Sequence, residues 1–457
     1  MDDYMPAIVL IGIGGYGTLY VDEILRDTDN GLCALVGVVD PAAKASPRYE
    51  ILTERGIPIY ETPEAFFEEH TADICCIAAP IQFHTPYTLL ALKYGCHVVC
   101  EKPLSGDFRD GYLLDAIADR EYKFVISGYQ WSHSAAMLAL KRDILDGKFG
   151  KPKHLKTRVL WPRAQSYFRR GSGWAGKRYA ADGTPIFDSV ANNAAAHYLH
   201  NMLFVLGERI DRAAMPISVD AELLRVNPIE NFDSCVLRMK LERGADALFI
   251  ATHSTRENIN PEFTYEFEHG TVTYAQEEKT GIIAVFDDGT TKNYGDPFAD
   301  QMNKVRYAIR AADQDVYDRE LPCTAMTAVP HARTIAAIAD VPIVDVPESL
   351  TETVMMGADK NDPLRVVVGL KDALCACYER GCMLSELDDD ESAALRDILV
   401  PAKDLPMPAG DMDEDAYHAF YADRPILDAD RLYQAKLAQL TGKPAKKRGS
   451  RKKKTTE

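Results

Sequence analysis

Five short apolar runs, separated by amphipathic stretches, dominate the first 130 residues. Ala7–Ile11 ("AIVLI"), "CALVGVVD" ending at Asp40, "ADICCIAAP" ending at Pro80, "CHVVC" before Glu101 and "KFVISGYQ" ending at Gln130 show no polar alternation. Runs of this kind suit strands buried on both faces of a parallel sheet. Between them, "TLYVDEILRD", "EAFFEE", "HTPYTLLALKYG" and "DGYLLDAIADRE" place apolar residues at helical spacing, the third closed by Gly95. Strands alternating with helices predict an α/β doubly wound parallel sheet, a Rossmann-type domain over 1–130. Ligands of such sheets bind beyond the carboxyl ends of the strands. Gly12, Asp40, Pro80, Lys102 and Gln130 all follow strand ends and are predicted to line one crevice.

The pattern changes over 131–345. "HLKTRVL", "DAELLRV", "DSCVLRMKL", "DALFIATHS", "FTYEFEH", "GTVTYAQ" and "GIIAVFD" read as strands joined by polar turns such as "ERGA" and "DDGT", without βα alternation. From 346 to 440 the reading is a helical extension. "DPLRVVVGLKDALCACYERGCMLSEL" starts as strand or helix and continues as an amphipathic helix, and "ESAALRDILV" and "ADRLYQAKLAQL" are helical in pattern. This extension is expected to pack on the first domain or to serve a subunit contact. Residues 441–457 hold eight Lys/Arg and one Glu in a polar context and read as a disordered tail.

Composition narrows the function classes. A chain of 457 residues suggests two domains and an extension. Its net charge is −17, and with the basic tail set aside the body carries about −24. An acidic body argues against nucleic acid as the main partner. No apolar run approaches membrane-spanning length, and the N-terminus "MDDYMPAIVLIG" is acidic where a secretory signal is basic. Ten cysteines lie mostly within apolar runs and show no paired zinc pattern, as in a cytoplasmic chain with reduced thiols. "CACYERGC" (Cys375, Cys377, Cys382) has no second cluster to complete a metal site, so none is expected.

Gly12, Gly14 and Gly17 fit G-x-G-x-x-G between a predicted strand and a predicted helix, and Asp40 ends the next strand 23 residues after Gly17. The first glycine allows the tight turn, the second admits a pyrophosphate to the backbone, and the third lets helix and strand pack closely. The helix N-terminus then faces the phosphates. A carboxylate at Asp40 accepts from a ribose 2′-hydroxyl and repels a 2′-phosphate, so NAD is favoured over NADP. The expected cofactor set is Gly12, Ile13, Gly14, Gly15, Tyr16, Gly17, Asp40, Ala79, Pro80, His84, Glu101, Lys102 and Gln130.

The pieces "GIGGYG", "VVD", "AAPIQFHTPYTLLALKYGCHVVCEKPLSG", "SGYQ" and "LKRDILDGKFGKPKH" resemble the Gfo/Idh/MocA family, that of glucose–fructose oxidoreductase and inositol dehydrogenase, over roughly residues 5–340. The ordered match of Pro80, His84, Ala91-Leu92, Gly95 to Val98 and Glu101-Lys102-Pro103 carries it. The resemblance implies a second α+β domain with a large open, mostly antiparallel sheet that covers nicotinamide and substrate. It also implies a homo-oligomer, dimer or tetramer, formed through that sheet, and a Lys102-Pro103 bond that is often cis. Within "DSVANNAAAHYLHNMLFVLG", it aligns His197 with the family's active-site histidine. Asn193 stands where the family has an acid, and His200 where a second acid often follows. At i, i+4 and i+7 these three are expected on one helix face; packed helix histidines are the plain alternative for the latter two.

Lys102 and His197 are then the candidate bases for an alcohol proton, with Asn193 beside them. The loop "VLWPRAQSYFRRGSGWAGKR", rich in Trp161, Arg163, Tyr167, Arg169, Arg170, Trp174 and Lys177, is the expected substrate cover, and Trp161, Arg163, Trp174, Lys177 and His200 are the substrate candidates. Aromatic faces suit sugar C–H faces, and arginines suit carboxylates or phosphates. The resulting expectation is an NAD-dependent dehydrogenase acting on a secondary hydroxyl of a sugar, cyclitol, sugar acid or glycoside. Two alternatives stand beside it: a redox cycle through a 3-keto sugar that drives glycosidic cleavage or elimination, and a non-catalytic dinucleotide sensor. The family's glycosidase branch carries a histidine–glycine–leucine–glycine–proline stretch that "AAHYLHN" does not match.

Overall fold

The computed structural model describes residues 4–170, 173–314, 319–358 and 361–408, and in it all five N-terminal apolar runs are parallel strands. The first sheet comprises β1 (Ala7–Ile11), β2 (Ala34–Val39), β3 (Ile59–Tyr60), β4 (Ile74–Ile77), β5 (His97–Cys100) and β6 (Val125–Ser127), in the order β3-β2-β1-β4-β5-β6. Every pairing is parallel. The two-residue β3 is too short to give a periodicity signal. Helices α1 (Gly17–Asp29), α2 (Tyr49–Glu54), α3 (Pro63–Glu69), α4 (His84–Lys93) and α5 (Arg109–Arg120) cross between strands. The strand order reverses between β1 and β4, which opens a crevice at their carboxyl ends.

The next stretch runs through α6 (Ala135–Leu145), β7 (Pro152–Leu160), α7 (Gln165–Phe168), a π-helical turn at Val190–Ala194, α8 (Ala196–Val205), β8 (Pro216–Arg225), β9 (Ser234–Leu241), β10 (Asp246–Thr252), β11 (Ile259–Phe267), β12 (Gly270–Ala275), β13 (Ile282–Phe286), β14 (Thr291–Gly295), α9 (Asn303–Ala312), α10 (Ala325–Ala337) and β15 (Val344–Asp345). The seven strand-like runs read from the sequence are β7 to β13. They form a large sheet ordered β14-β13-β12-β11-β7-β10-β9-β8-β15. Its pairings are antiparallel except β7 with β10 and β8 with β15.

Over β7 to β10 this sheet is packed on both faces. On one face Leu155, Val159, Leu237 and Phe249 pack with Met137, Leu199 and Phe204 of α6 and α8. On the other, Leu160, Leu224, Val236, Leu248 and Ile250 pack against the extension. The strict alternation of inward and outward side chains along β7 and β10 is what lets two cores share one sheet. Residues 302–312 belong to the first core, where Met302, Val305, Ala308 and Ala311 pack with Ile8, Leu10, Val38 and Ile74. A helix from inside the expected second domain thus completes the first.

The extension differs from its helical expectation. Its described part contains β16 (Thr351–Met356), β17 (Asp362–Val367), α11 (Leu370–Arg380), α12 (Ala393–Arg396) and β18 (Ala402–Pro406). β16 pairs with β17, and β18 adds to the sheet along β8. Thr351, Thr353 and Val354 favour strand, and the neighbouring β17 supplies the backbone partners that a helix reading overlooks. It packs on the second sheet, not on the first domain: Leu370, Leu374 and Cys377 of α11 cover the outer face that the resemblance reserved for a subunit contact. Arg158 of β7 stacks on Tyr378, 4.4 Å from the ring centre. The expected helix "ADRLYQAKLAQL" and the basic tail lie outside the described residues. All ten cysteines are free, and among the described residues there is no metal-binding cluster and no helix long and apolar enough to cross a membrane.

Candidate active site

The glycine loop has the shape its spacing predicted. Gly12 has φ +88°, and a Cβ there would meet the Ala78 carbonyl oxygen at 2.6 Å. A Cβ on Gly17 would lie 2.2 Å from the Gly12 carbonyl oxygen, so α1 packs onto the turn only with glycine. At Gly14 a Cβ would meet nothing within 4 Å, so this side of the loop is open to a ligand. The first turn of α1 has no side-chain cap, which leaves its positive dipole end to an outside anion. One Asp40 oxygen accepts from Ile13 N–H (3.0 Å) and the other from Ala42 N–H (2.8 Å). Each carboxylate oxygen keeps a lone pair for a ribose hydroxyl. The donor set therefore fits a dinucleotide. Tyr16 donates to Gln130 Oε1 (3.0 Å), joining the loop to the end of β6.

Ala79 and Pro80 follow β4. His84, 1% exposed, has both ring nitrogens 2.8 Å from carbonyl oxygens, those of Ala79 and Pro103. Burial lowers its pKa, against the two carbonyl oxygens, which favour the charged ring. With both nitrogens occupied it has none to offer a cofactor, and its role is to tie the β4 turn to the Lys102 turn.

Glu101 is buried at the end of β5. It accepts from the Tyr20 hydroxyl (2.8 Å) and pairs with Lys304 of α9. Burial opposes its charge, yet the ammonium groups of Lys304 and Lys102 and the Tyr20 hydroxyl outweigh that and hold its carboxyl below the usual range. Lys304 is 0% exposed and lies over the rings of Tyr16 (4.9 Å) and Tyr20 (5.0 Å). Burial opposes its charge too; Glu101 and Tyr16 reverse the balance and raise its pKa.

Lys102 is partly exposed to the crevice, and its bond to Pro103 is cis. Its Nζ donates to the Asn193 carbonyl oxygen (2.8 Å) and to Asn193 Oδ1 (3.0 Å). Desolvation lowers its pKa to about 8, against the opposing pull of Glu101 and Asp188. Asn193 Nδ2 in turn donates to Asp188 Oδ1 (2.7 Å), and Asp188 Oδ2 accepts from Gly176 N–H (2.5 Å). Asp188 is 3% exposed; its burial raises its pKa against the pull of the Gly176 N–H and Arg170.

His197 is 8% exposed, with Nδ1 lacking a hydrogen-bond partner among the described residues. Burial, then the nearby Lys102 ammonium, push its pKa well below the ordinary histidine value. It is a ring near the Lys102 ammonium that resists protonation, suited to orient a hydroxyl by hydrogen bonding. His200 is placed differently. It is 0% exposed, bonds Ser132 Oγ (3.1 Å) and stacks on Tyr129 (3.9 Å between ring centres). No surface of it is free for substrate. Asn193 sits in the π-helical turn and α8 starts only at Ala196, so regular helical spacing does not run across all three residues. The wider turn changes the phase between Asn193 and the histidines.

The loop between β7 and the π turn stacks cations on rings. Arg163 lies 5.5 Å from the Trp161 ring and 5.1 Å from Tyr167, and Arg170 lies 3.5 Å from Tyr167 and 5.2 Å from Trp174. Trp161 Nε1 donates to Asn260 Oδ1 (2.9 Å). A cavity of about 410 Å³ borders this loop, lined by Phe168, Arg169, Lys177, Ile229 and Glu230 among others. Lys177 is exposed at its rim. Gly176, which lines this cavity, carries the N–H that Asp188 accepts.

Sequence reasoning missed Asp188, Lys304 and Tyr20. Asp188 opens the stretch singled out for His197, but five residues before Asn193 it falls off the face of a regular helix. Lys304 lies some two hundred residues from its partner, in a helix whose pattern reads as an ordinary amphipathic one.

A sequence model of an oxidoreductase family with an NAD-binding Rossmann fold, GFO_IDH_MocA, matches residues 7–129. Inositol 2-dehydrogenase 4 of Saccharopolyspora erythraea is 28% identical over 144 residues, 31% of this chain and 42% of that protein. Myo-inositol 2-dehydrogenase of Thermotoga maritima is 22% identical over 52% of this chain and 66% of its own length. The chain thus spans from under half to about two thirds of these relatives. Among solved structures, the WlbA dehydrogenase from Bordetella pertussis in complex with NADH and UDP-GlcNAcA covers 74% of this chain and 96% of its own. That likeness has a TM-score of 0.58 at 20% identity, a likeness of fold. In its Rossmann domain, which carries the glycine loop and the Lys102 turn, this chain thus matches the Gfo/Idh/MocA family of NAD-binding oxidoreductases over residues 7–129.

Proposed function

We propose that this protein is an NAD-dependent dehydrogenase that oxidises a secondary hydroxyl of a carbohydrate-like polyol, in the class of sugars, cyclitols, sugar acids and glycosides. The observation that carries this reading is Lys102: an amine facing the cofactor crevice, with its pKa lowered to about 8 by desolvation and its Nζ oriented by Asn193. Bound NAD would supply the hydride acceptor for the carbinol carbon. Lys102, unprotonated, takes the hydroxyl proton as the C–O bond becomes a carbonyl; a base matched to the working pH is what such a transfer needs. His197 lies near it as a ring that resists protonation and can orient the substrate hydroxyl by hydrogen bonding. Asp40 would hold the adenine ribose and disfavours a 2′-phosphate, so NAD is the cofactor of choice.

The substrate class rests on the loop around Trp161, Arg163, Tyr167, Arg170 and Trp174, whose ring faces suit sugar C–H surfaces and whose guanidinium groups suit an anionic substituent. Related proteins named as inositol dehydrogenases support it. A panel of sugars, cyclitols, sugar acids and glycosides, incubated with NAD and followed by the absorbance of reduced nicotinamide, tests the proposal. Reduction of NAD by at least one polyol, lost in Lys102→Ala, is the expected result. Consumption of a glycoside without net NADH would replace it with the redox-cycling reaction, and tight NAD binding without any turnover would replace it with a sensor.

A further inference from the structure

Asp188 is the buried acid of this site with no assigned task, and its two oxygens are both committed. Oδ2 accepts from Gly176 N–H (2.5 Å) and Oδ1 accepts from Asn193 Nδ2 (2.7 Å). Those bonds fix which way the Asn193 amide faces: its Nδ2 toward Asp188 and its Oδ1 toward Lys102 Nζ (3.0 Å). An amide at 188 would present a donor to a donor at one of these two contacts. An amide at 193 free to rotate would turn its own N–H groups toward the lysine half of the time.

We propose that Asp188 is a positioning residue that acts through Asn193, one hydrogen bond removed from Lys102, to aim the Lys102 amine and to set the pH at which it works. This rests on the reading of Lys102 as the proton acceptor. The geometry divides between two residues what a single carboxylate would otherwise do. Asn193 supplies the oxygen that touches the lysine. Asp188 supplies the negative charge and the orientation, from a site where it is 3% exposed. Asp188 stands just ahead of the turn at Val190–Ala194, next to its extended cap residue Ser189, and reaches Asn193 within the turn by the direct bond to Nδ2. The charged groups facing the chain of bonds are Arg170, which acts on both Asp188 and Lys102, and Glu101 and Lys304, which act on Lys102 from the β5 and α9 sides. Burial raises the Asp188 pKa without a counter-charge in direct contact, so distance through the amide tempers its pull on the lysine.

The test is a swap followed by pH profiles of kcat/KM for the polyol identified in the substrate panel. Asp188→Asn is expected to lower kcat by about 10- to 100-fold with little change in KM, since aim is lost and binding is not. Its activity should also rise at lower pH than wild type, because a negative charge near Lys102 is gone. Asn193→Asp alone sets two carboxylates side by side and is expected to lose activity as well. The double variant Asp188→Asn/Asn193→Asp lets every contact be satisfied again, with Gly176 N–H and the new amide both in place. It is expected to recover most of the lost kcat, with the rise displaced upward by about one pH unit or more, since the carboxylate now touches the ammonium. A role in folding alone would lower the yield or stability of Asp188→Asn without moving the pH profile, and that result would overturn the proposal. If Asp188→Asn does not fold, the double variant decides: a folded swap whose profile coincides with wild type overturns it equally. Full turnover in Lys102→Ala would instead remove the reading of Lys102 on which it rests.

Discussion

Glu101 has a lysine on either side, and the two behave in opposite ways. Lys304 is fully buried, yet it stays charged: a carboxylate in contact and two tyrosine rings below it replace the water it has lost. Lys102 is less buried and opens to the crevice, yet its pKa falls to about 8. The difference lies in the contact atoms. Among the described residues, Lys102 Nζ touches only the carbonyl and amide oxygens of Asn193, and neutral dipoles offset desolvation less than a full charge does. One lysine becomes a structural tie between α9 and the first sheet, the other a group able to gain and lose a proton near neutral pH.

The comparison can be broken from either side. The largest effect is expected at Lys102 itself: Lys102→Ala should lower kcat by about 10²- to 10⁴-fold, while NAD binding, followed by quenching of protein fluorescence, stays measurable. Lys304→Ala should leave Glu101 buried without its partner and cost about 3–5 kcal/mol of unfolding free energy by urea titration. Glu101→Gln/Lys304→Met should cost much less than the two single changes combined, because no charge is then left unpaired. At wild type, kcat/KM for alcohol oxidation should rise as pH passes through about 8, since protonated Lys102 cannot take a proton. Glu101→Gln removes the strongest influence that favours its charge, so the rise should move to lower pH, by about one unit. The smallest effect is expected behind the site, where His200→Gln keeps a group able to bond Ser132 and should leave kcat within about threefold. A large loss of kcat there would put His200 in the crevice and not in the core.

The two sheets also divide what was legible from what was not. Each strand of the first sheet longer than two residues announces itself through an unbroken apolar run, because both of its faces are buried, by helices of the same local βα units and by α9. The glycine loop, Asp40 and the Lys102 turn were legible for the same reason: each is a local backbone requirement written in adjacent residues. The strands β7 to β13 were legible as strands, but their cover was not. Nothing local in "LKDALCACYERGC" says that its apolar face meets Leu160, Val236 and Ile250 from elements more than a hundred residues earlier. The same limit applied at the helix of His197. Spacing of i, i+4 and i+7 presumes 3.6 residues per turn, and the π-helical turn that holds Asn193 breaks that spacing.

By itself, then, the sequence determined the doubly wound sheet, the dinucleotide loop and the lysine delivered to the crevice, because these follow from periodicity, glycine sterics and strand ends within a few dozen residues. The tertiary structure alone decided which lysine is kept charged, which acid stands behind Asn193, and that the outer face of the second sheet over β7 to β10 is covered by the chain's own extension. Those outcomes depend on desolvation and on contacts across long stretches of chain, which no local pattern encodes.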